Sequence, residues 1–192
     1  LIMGAADHGA WLGTMVFDGA RYFDGVSPDL DLHCARANAS AIAMGLKPTM
    51  ETGKIFELAR EGVTKFDGSN ALYIRPMYWA TNGDATLIAP AADSTEFALC
   101  LEEIPMAPAE ASATLTRTQF RRPLLENAVV NAKAGCLYPN HARMLREARN
   151  KGFSNALALD AMGNVAETAT ANIFMVRDGE VVTPIANGTF LG

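Results

Sequence analysis

The chain has 192 residues, of which 49% are hydrophobic and 19% charged; this balance excludes a disordered protein and suits one large or two small domains. The formal net charge of -5, without a run of Lys or Arg, argues against a nucleic-acid partner. No apolar stretch reaches the length of a membrane span, and residues 1–13 lack the basic segment of a signal peptide. We therefore expect a soluble cytoplasmic protein, in keeping with cysteines that form no CxxC pair.

The first half of the chain predicts one strand, two helices and two more strands, at 14–24, 32–44, 53–66, 71–79 and 96–101. Asp31 and Thr52 are the predicted N-caps of the two helices, because a short side-chain oxygen can accept a hydrogen bond from the first helical turn. The second helix carries an apolar stripe along one face. These elements predict an N-terminal α/β domain.

The segment 105–113 separates the two halves, and its prolines and small residues have the composition of a linker. We therefore predict an N-terminal domain at 1–104, this linker, and a second domain at 114–192. The second domain is predicted to contain a strand, a helix, a strand and a hairpin turning at Asp178-Gly179, at 114–120, 139–151, 155–160, and 172–177 with 180–183. The whole predicts a mixed α+β or α/β architecture of two lobes, with a crevice between them as the expected place for a cofactor.

Lys133 and Glu167 have the surroundings that point most directly to chemistry. Lys133 lies between small residues in Ala132-Lys133-Ala134-Gly135, with no carboxylate close to it in the sequence, so its amine can be partly desolvated. Desolvation disfavours the ammonium form and makes the amine nucleophilic, as a Schiff base requires. Glu167 lies in a turn-like run, and a carboxylate there would suit the ring nitrogen of pyridoxal phosphate, which must stay protonated. A solvated surface lysine and glutamate are the alternative that the residues alone leave open.

The wider pattern around these two residues closely resembles the class IV, or fold-type IV, pyridoxal-phosphate aminotransferases. It consists of Lys133 with Tyr138 five positions later, then LALDAMGNVAE and TATANIFMVRDGEVVTP. The resemblance implies that Lys133 carries the cofactor as a Schiff base, that Glu167 contacts the pyridine nitrogen and that Tyr138 lies near the phenolic oxygen. It also implies the family's two-lobed fold, an N-terminal α/β lobe and the first part of a pseudo-barrel C-terminal lobe. Because the family's chains continue further, we expect this chain, which stops at Gly192, to be a fragment.

The segment HCARANASA, at 33–41, resembles the family's H-x-x-R-x-x-x-S-A helix. The resemblance implies that Arg36 binds the cofactor phosphate. A guanidinium suits this role because it offers phosphate a planar, permanently charged fork of donors. An ordinary surface arginine on a helix is the alternative.

The segment VFDGAR, at 16–21, resembles the family's V-F-E-G-x-R hairpin, which implies that Phe17 lines the substrate side-chain pocket. Two residues depart from the family pattern. Leu12 occupies the place of a usual pocket tyrosine, and Asp18 replaces the usual glutamate. The loss of the tyrosine hydroxyl makes the predicted pocket more apolar.

The segment LYIRP, at 72–76, resembles the Y-I-R-P strand of the branched-chain aminotransferases. Strand alternation places Tyr73 and Arg75 on one face. The resemblance implies that Arg75 recognises the distal carboxylate of glutamate and that Tyr73 orients the substrate. A structural salt bridge at Arg75 is the alternative.

The resemblance as a whole implies transamination between 2-oxoglutarate and leucine, isoleucine, valine or a similar apolar L-amino acid, in a homodimer. The alternatives are another fold-type IV activity, namely D-amino-acid or amine transamination or aminodeoxychorismate lysis, and a non-catalytic relative. The sequence suggests no Ser-His-Asp or Cys-His set, and its isolated histidines, His8, His33 and His141, predict no metal site. Arg121 and Arg122 are placed at the border of the expected site and are left without a role.

Overall fold

The computed structural model describes residues 2–67 and 70–189, so that Gly192, where the chain stops, lies outside the described residues. Its contacts divide the chain into two compact units. The first unit contains the residues up to Ala109 together with Ala132–Cys136, and the second contains Glu110–Asn131 and the residues from Leu137 onward. The domain limits that we derived from the linker composition stay a prediction.

An antiparallel four-stranded sheet forms the centre of the first unit. Its strands are β1 (Met15–Phe17), β2 (Ala20–Tyr22), β3 (Leu72–Ala80) and β4 (Thr95–Glu103). Strand β3 pairs with β1 and β2 along one edge and with β4 along the other. The sheet therefore presents β3, with its predicted site residues, at its centre.

The single strand predicted at 14–24 is wrong, because the chain forms two short strands with Asp18-Gly19 between them. Both strands pair with β3, on either side of Pro76. Proline has no N–H to donate to a β-ladder, and at this point the Asp18 N–H donates to the Pro76 carbonyl at 3.0 Å. Asp18 is fully buried and continues the inward alternation of Val16 and Ala20 across the interruption.

Three helices complete the first unit: α1 (His8–Trp11), α2 (Leu30–Ala43) and α3 (Thr52–Val63). The two predicted N-caps are wrong, since Asp29 precedes α2 and Glu51 precedes α3, and neither makes a side-chain capping hydrogen bond. Helix α1 was not predicted because four residues are too few to show a period. Helices α2 and α3 bury their apolar faces with the sheet in one core, which contains Val16, Ala37, Ala41, Ile55, Ala59, Leu72, Ile74 and Tyr78.

The second unit contains a three-stranded sheet, one helix and a hairpin. These elements are β5 (Leu115–Arg121), α4 (Tyr138–Asn150), β6 (Asn155–Leu159), β7 (Val165–Thr168), β8 (Met175–Arg177) and β9 (Glu180–Val182). Strand β6 pairs in parallel with β5 and antiparallel with β7. The core packs α4 onto this sheet through Met144, Ala148, Ala156, Ala158 and Ala169.

Two predictions in this unit have different outcomes. The hairpin at Asp178-Gly179 is confirmed, and both residues have the positive φ, 52° and 83°, that its turn requires. The turn-like run predicted at 167–172 is confirmed only after Thr168: Glu167 and Thr168 lie on strand β7, and the chain then turns, with the Thr168 N–H donating to the Ala171 carbonyl at 2.9 Å. Small residues on both β6 and β7 allow this close pairing, a tertiary effect that the local sequence does not show. In the part of the chain that is described, no helix is both long enough and apolar enough to span a membrane.

Candidate active site

The backbone of Lys133 is fixed on both sides by the first unit. Its N–H donates to Ser40 Oγ on α2 at 3.0 Å, and its carbonyl accepts from the Phe17 N–H at 3.0 Å. The next residue, Ala134, forms a β-bridge with Val16 and is fully buried. The lysine therefore projects from a main chain that helix and sheet hold in place, and not from a solvated loop.

Close packing around the lysine depends on small neighbours. Ala132 and Ala134 are buried, and a Cβ added to Gly135 would lie 2.9 Å from Cγ of Met15. A side chain at position 135 would therefore require the Met15 side chain on β1 to move. The run of small residues in the sequence is thus explained by backbone approach to the sheet.

The Lys133 side chain is half-buried and lies over an aromatic face. Its Nζ is 5.5 Å from the centre of the Phe17 ring, within the range of a cation–π contact. The structure therefore brings together two of the predicted site residues, the amine and the predicted pocket phenylalanine. The ring thus lies on one side of the amine.

Asp18 holds Arg36 in a bidentate ion pair. Arg36 donates through Nε to Oδ2 at 2.7 Å and through Nη2 to Oδ1 at 2.9 Å, and His33 Nδ1 lies 2.8 Å from Oδ1. Burial raises the pKa of Asp18, but the hydrogen bonds from His33 and Arg36 outweigh burial and lower that pKa to about 2. The carboxylate that the sequence showed only as a departure from the family pattern therefore orients the predicted phosphate ligand. The phosphate role of Arg36 stays a prediction.

Tyr73 and Arg75 lie on the same face of β3, alternating with the buried Leu72 and Ile74, as predicted. The Arg75 guanidinium pairs with Glu102 on β4 and lies 5.6 Å from the centre of the Tyr73 ring. Burial lowers the pKa of Arg75, but the hydrogen bond and charge of Glu102 outweigh burial and raise that pKa. The structural ion pair that the sequence left as an alternative is thus present, and a substrate role for Arg75 stays a prediction.

In the second unit Glu167 contacts a buried arginine. Its Oε1 lies 2.9 Å from Nε of Arg122, and the two side chains are only 13% and 5% exposed. The same Nε donates to the carbonyl of Thr189 at 3.0 Å. Burial lowers the pKa of Arg122, while the charges of Glu167 and Tyr138 oppose that change. Arginine nevertheless stays cationic, so Glu167 lies beside a buried positive charge.

Arg122 also contacts His141 on α4, through Nη1 and the imidazole Nε2. The other ring nitrogen, Nδ1, lies 2.6 Å from the carbonyl oxygen of Ala169. Tyr138 stacks on the imidazole with ring centres 5.0 Å apart and planes inclined by 17°. Sequence reasoning placed Arg122 at the border of the site without a role and missed His141; the signal for Arg122 was a pair of arginines just after a predicted strand.

The predicted site residues thus fall into two groups. The first unit holds Phe17, Arg36, Tyr73, Arg75 and Lys133, and the second holds Tyr138 and Glu167. Each group contains an ion pair with at least one buried member, namely Asp18 with the half-buried Arg36 in the first and Glu167–Arg122 in the second. Buried pairs of this kind are common at sites where charge must be held in one place.

A profile of the family described as amino-transferase class IV matches residues 15–192. The chain belongs to the class IV aminotransferases. The predicted mixed α/β fold of this class is confirmed by solved structures. An aminotransferase from Brucella abortus bound to the cofactor PLP shares 63% identity and a TM-score of 0.97, over 100% of this chain and 68% of that one. The Escherichia coli branched-chain amino acid aminotransferase has a TM-score of 0.86 at 25% identity, over 98% of this chain and 64% of that one.

Curated relatives of this class IV aminotransferase have a consistent description. A probable branched-chain-amino-acid aminotransferase of Rickettsia conorii is 34% identical over 183 residues, which is 94% of this chain and 61% of the relative. The branched-chain-amino-acid aminotransferase of Escherichia coli K12 is 26% identical over 187 residues, which is 92% of this chain and 60% of the relative. The chain therefore spans about three fifths of the length of these relatives.

Proposed function

We propose that the protein is a pyridoxal-phosphate-dependent aminotransferase that exchanges an amino group between an apolar, branched-chain-type L-amino acid and 2-oxoglutarate. Lys133 is the residue that would bond the cofactor. The observation that carries the proposal is the backbone of Lys133, which Ser40 and Phe17 hold within the segment that matches the family. The cofactor named for the Brucella abortus structure and the names of the curated relatives support it.

The side chains of this chain fit pyridoxal phosphate in their donor and acceptor chemistry. A half-buried primary amine at Lys133 suits the aldehyde, and a largely buried carboxylate at Glu167 suits a protonated pyridine nitrogen. Arg36, oriented by Asp18, is the candidate for the phosphate, and Tyr138 for the phenolic oxygen. When bound, the cofactor supplies an electron-withdrawing ring that stabilises negative charge at the substrate α-carbon.

Each of the other functions in the proposed reaction is assigned to a side chain of this chain. Lys133 would take the proton from the substrate α-carbon, and Phe17 lies on one side of that amine. Glu167, paired with Arg122, would accept a hydrogen bond from the N–H of the pyridine ring. Asp18 prevents the Arg36 guanidinium from turning away, because it holds two of its nitrogen atoms at once.

The substrate preference is supported by the residues of the first unit. Leu12, at the place of the usual tyrosine, contributes no hydroxyl, which favours an apolar amino acid. Tyr73 and Arg75 share one face of β3, but Arg75 already pairs with Glu102. A substrate carboxylate would have to replace Glu102 at Arg75 for this arginine to recognise 2-oxoglutarate. We also propose, on family resemblance alone, a homodimer in the cytoplasm.

Absorption spectra and a panel of amino donors test the proposal. With pyridoxal phosphate and 2-oxoglutarate we expect turnover of leucine, isoleucine or valine, and loss of both turnover and the bound-cofactor band in Lys133→Ala. Lys54→Ala, which removes an exposed lysine on α3, is the matched control and should behave as the wild type. Turnover of only D-alanine or an aryl amine would assign the protein to another branch of the family. Unchanged turnover in Lys133→Ala would refute the role of Lys133.

A further inference from the structure

His141 has hydrogen-bond partners that define its tautomer. Its Nδ1 lies 2.6 Å from the carbonyl oxygen of Ala169, and because a carbonyl only accepts, Nδ1 must carry the proton. Its Nε2 faces Nη1 of Arg122, and because a guanidinium only donates, Nε2 must be the acceptor. Only the neutral Nδ1–H imidazole satisfies both contacts.

The contact with His141 fixes one end of a buried guanidinium whose other end contacts Glu167. Arg122 is 5% exposed, its Nη1 donates to His141, and its Nε lies against the Thr189 carbonyl and Glu167 Oε1. A planar guanidinium held at both ends cannot rotate about its side chain. The position of the charge beside Glu167 therefore depends on the acceptor on α4.

The same imidazole also contacts Tyr138. The two rings stack with centres 5.0 Å apart, one turn of α4 from each other. Tyr138 and Glu167 are the two residues of the second unit that we assign to the cofactor. Within this unit Tyr138 and Glu167 are linked by a series of contacts through His141 and Arg122. The sequence had not indicated any of these contacts.

We propose that His141 is a positioning residue, which as a neutral acceptor holds Arg122 against Glu167 and so links cofactor retention to the protonation of one imidazole. The inference rests on the proposed function, because Glu167 is the proposed ligand of the pyridine nitrogen. It concerns residues of this chain alone and is measurable before any cofactor is added.

Protonation of His141 would break the arrangement. An imidazolium would carry a proton on Nε2 and direct it at the Arg122 guanidinium, so that two cations met without an acceptor between them. The charged or titratable groups that face His141 include Arg122 from the segment after β5, Tyr138 on its own helix, and Glu167 on β7 through Arg122. Arg122 would then shift, and Glu167 would lose the charge that keeps it in place.

The first experiment uses the protein without cofactor. Nitrogen-15 NMR of labelled histidine distinguishes the two neutral tautomers and the imidazolium, and the signal of His141 is assigned by its absence in His141→Gln. At pH 8 we expect the Nδ1–H tautomer. The opposite tautomer, or an imidazolium at this pH, would overturn the inference whether or not the protein binds pyridoxal phosphate.

The second experiment measures the dissociation constant of pyridoxal phosphate at pH 8 and below pH 6, on either side of the ordinary pKa of histidine, about 6.5. We expect about tenfold weaker binding by the wild type at the lower pH, the size of a lost hydrogen bond to a charged group. His141→Gln places an amide oxygen within reach of Arg122, and this amide does not titrate. Acidification should therefore weaken cofactor binding less in this variant than in the wild type. His141→Asn reaches only the Ala169 carbonyl and should bind about tenfold more weakly at both pH values.

Controls separate this inference from the proposed function. Arg149→Gln, an exposed change on the same helix, should keep the wild-type pH dependence. Equal pH dependence in the wild type and His141→Gln, with firm binding at pH 8, would overturn the role of His141 and leave the proposed function standing. No binding by the wild type at pH 8 would contradict the proposed function, and with it the positioning role.

Discussion

At the scale of single residues, Asp18 is a fully buried carboxylate whose charge depends on two basic partners. Arg36 and His33 both contact it, at 2.7 to 2.9 Å. Removing one partner of a buried pair leaves the other without compensation, whereas an exposed pair contributes little. The free energy of unfolding of the first unit should therefore depend on whether Asp18 is ionised.

The pKa of Asp18 predicts a pH dependence with a definite sign. Its pKa is about 2 in the folded protein against 3.8 as the model-compound value, so its contribution is complete above about pH 4 and is lost as pH falls towards 2. Asp18→Asn should lower the free energy of unfolding by about 2 kcal/mol at pH 7. Between pH 4 and 2 the free energy of unfolding of this variant should fall less than that of the wild type.

Urea unfolding at a series of pH values measures this effect. Asp31→Asn, an exposed change on α2, is the control and should leave both the stability at pH 7 and its acid dependence close to the wild type. An Asp18→Asn protein with the stability and acid dependence of the wild type would show that the ion pair contributes nothing to the fold.

Residue types and spacing predicted Lys133, Phe17, Arg36 and Glu167 as site residues through a family pattern. They did not predict that Asp18 holds Arg36, or that Arg122 and His141 support Glu167. Such partners come from different elements, and a buried polar group requires a partner without specifying which one. Contacts between distant parts of a chain are therefore the portion of a site that a single sequence does not supply.

At the scale of elements, the sheet of the first unit depends on one glycine between β1 and β2. A Cβ at Gly19 would overlap the Tyr73 hydroxyl and lie 2.7 Å from Tyr73 Cε2. Gly19 therefore allows Tyr73 to pack across the interruption of the strand. Periodicity alone could not separate β1 from β2, because the break results from Pro76 on another strand.

Gly19→Ala should destabilise the protein by about 1 to 3 kcal/mol, since the tyrosine must move to admit the methyl group. Gly53→Ala is the matched control: its position in α3 has open space, and alanine favours a helix, so we expect no loss and a gain of up to about 1 kcal/mol. Thermal unfolding of both variants provides the comparison. Equal stability of the two would contradict the packing role assigned to Gly19.

The cross-strand pair of Arg75 and Glu102 predicts a kinetic effect. If Arg75 receives the distal carboxylate of 2-oxoglutarate, Glu102 competes for the same guanidinium, and Glu102→Gln should lower KM for 2-oxoglutarate while leaving kcat for the apolar amino donor unchanged. Glu96→Gln, an exposed charge removal on the same strand, is the control. An unchanged KM in Glu102→Gln would assign Arg75 to the structure of the sheet alone.

At the scale of the whole chain, local sequence rules predicted turns and helix ends, whereas the family pattern predicted the fold. Turn chemistry placed the hairpin at Asp178-Gly179 correctly, because its positive φ angles depend only on those two residues. Helix starts were displaced by one or two residues, since Asp31 and Thr52 lie inside helices whose ends are set by packing rather than by caps. The mixed α/β class followed from the order of the predicted elements, whereas the specific fold of the class IV aminotransferases came from the family pattern, which integrates contacts that no single segment contains.

Covalent trapping on Lys133 is the measurement that tests the central claim most directly. The protein is incubated with pyridoxal phosphate, reduced with borohydride and digested, and the modified peptide is identified by mass spectrometry. We predict a phosphopyridoxyl group on Lys133 in the wild type and in Lys54→Ala, and no specific modification in Lys133→Ala. Modification at another lysine, or equal modification in Lys133→Ala, would contradict the account.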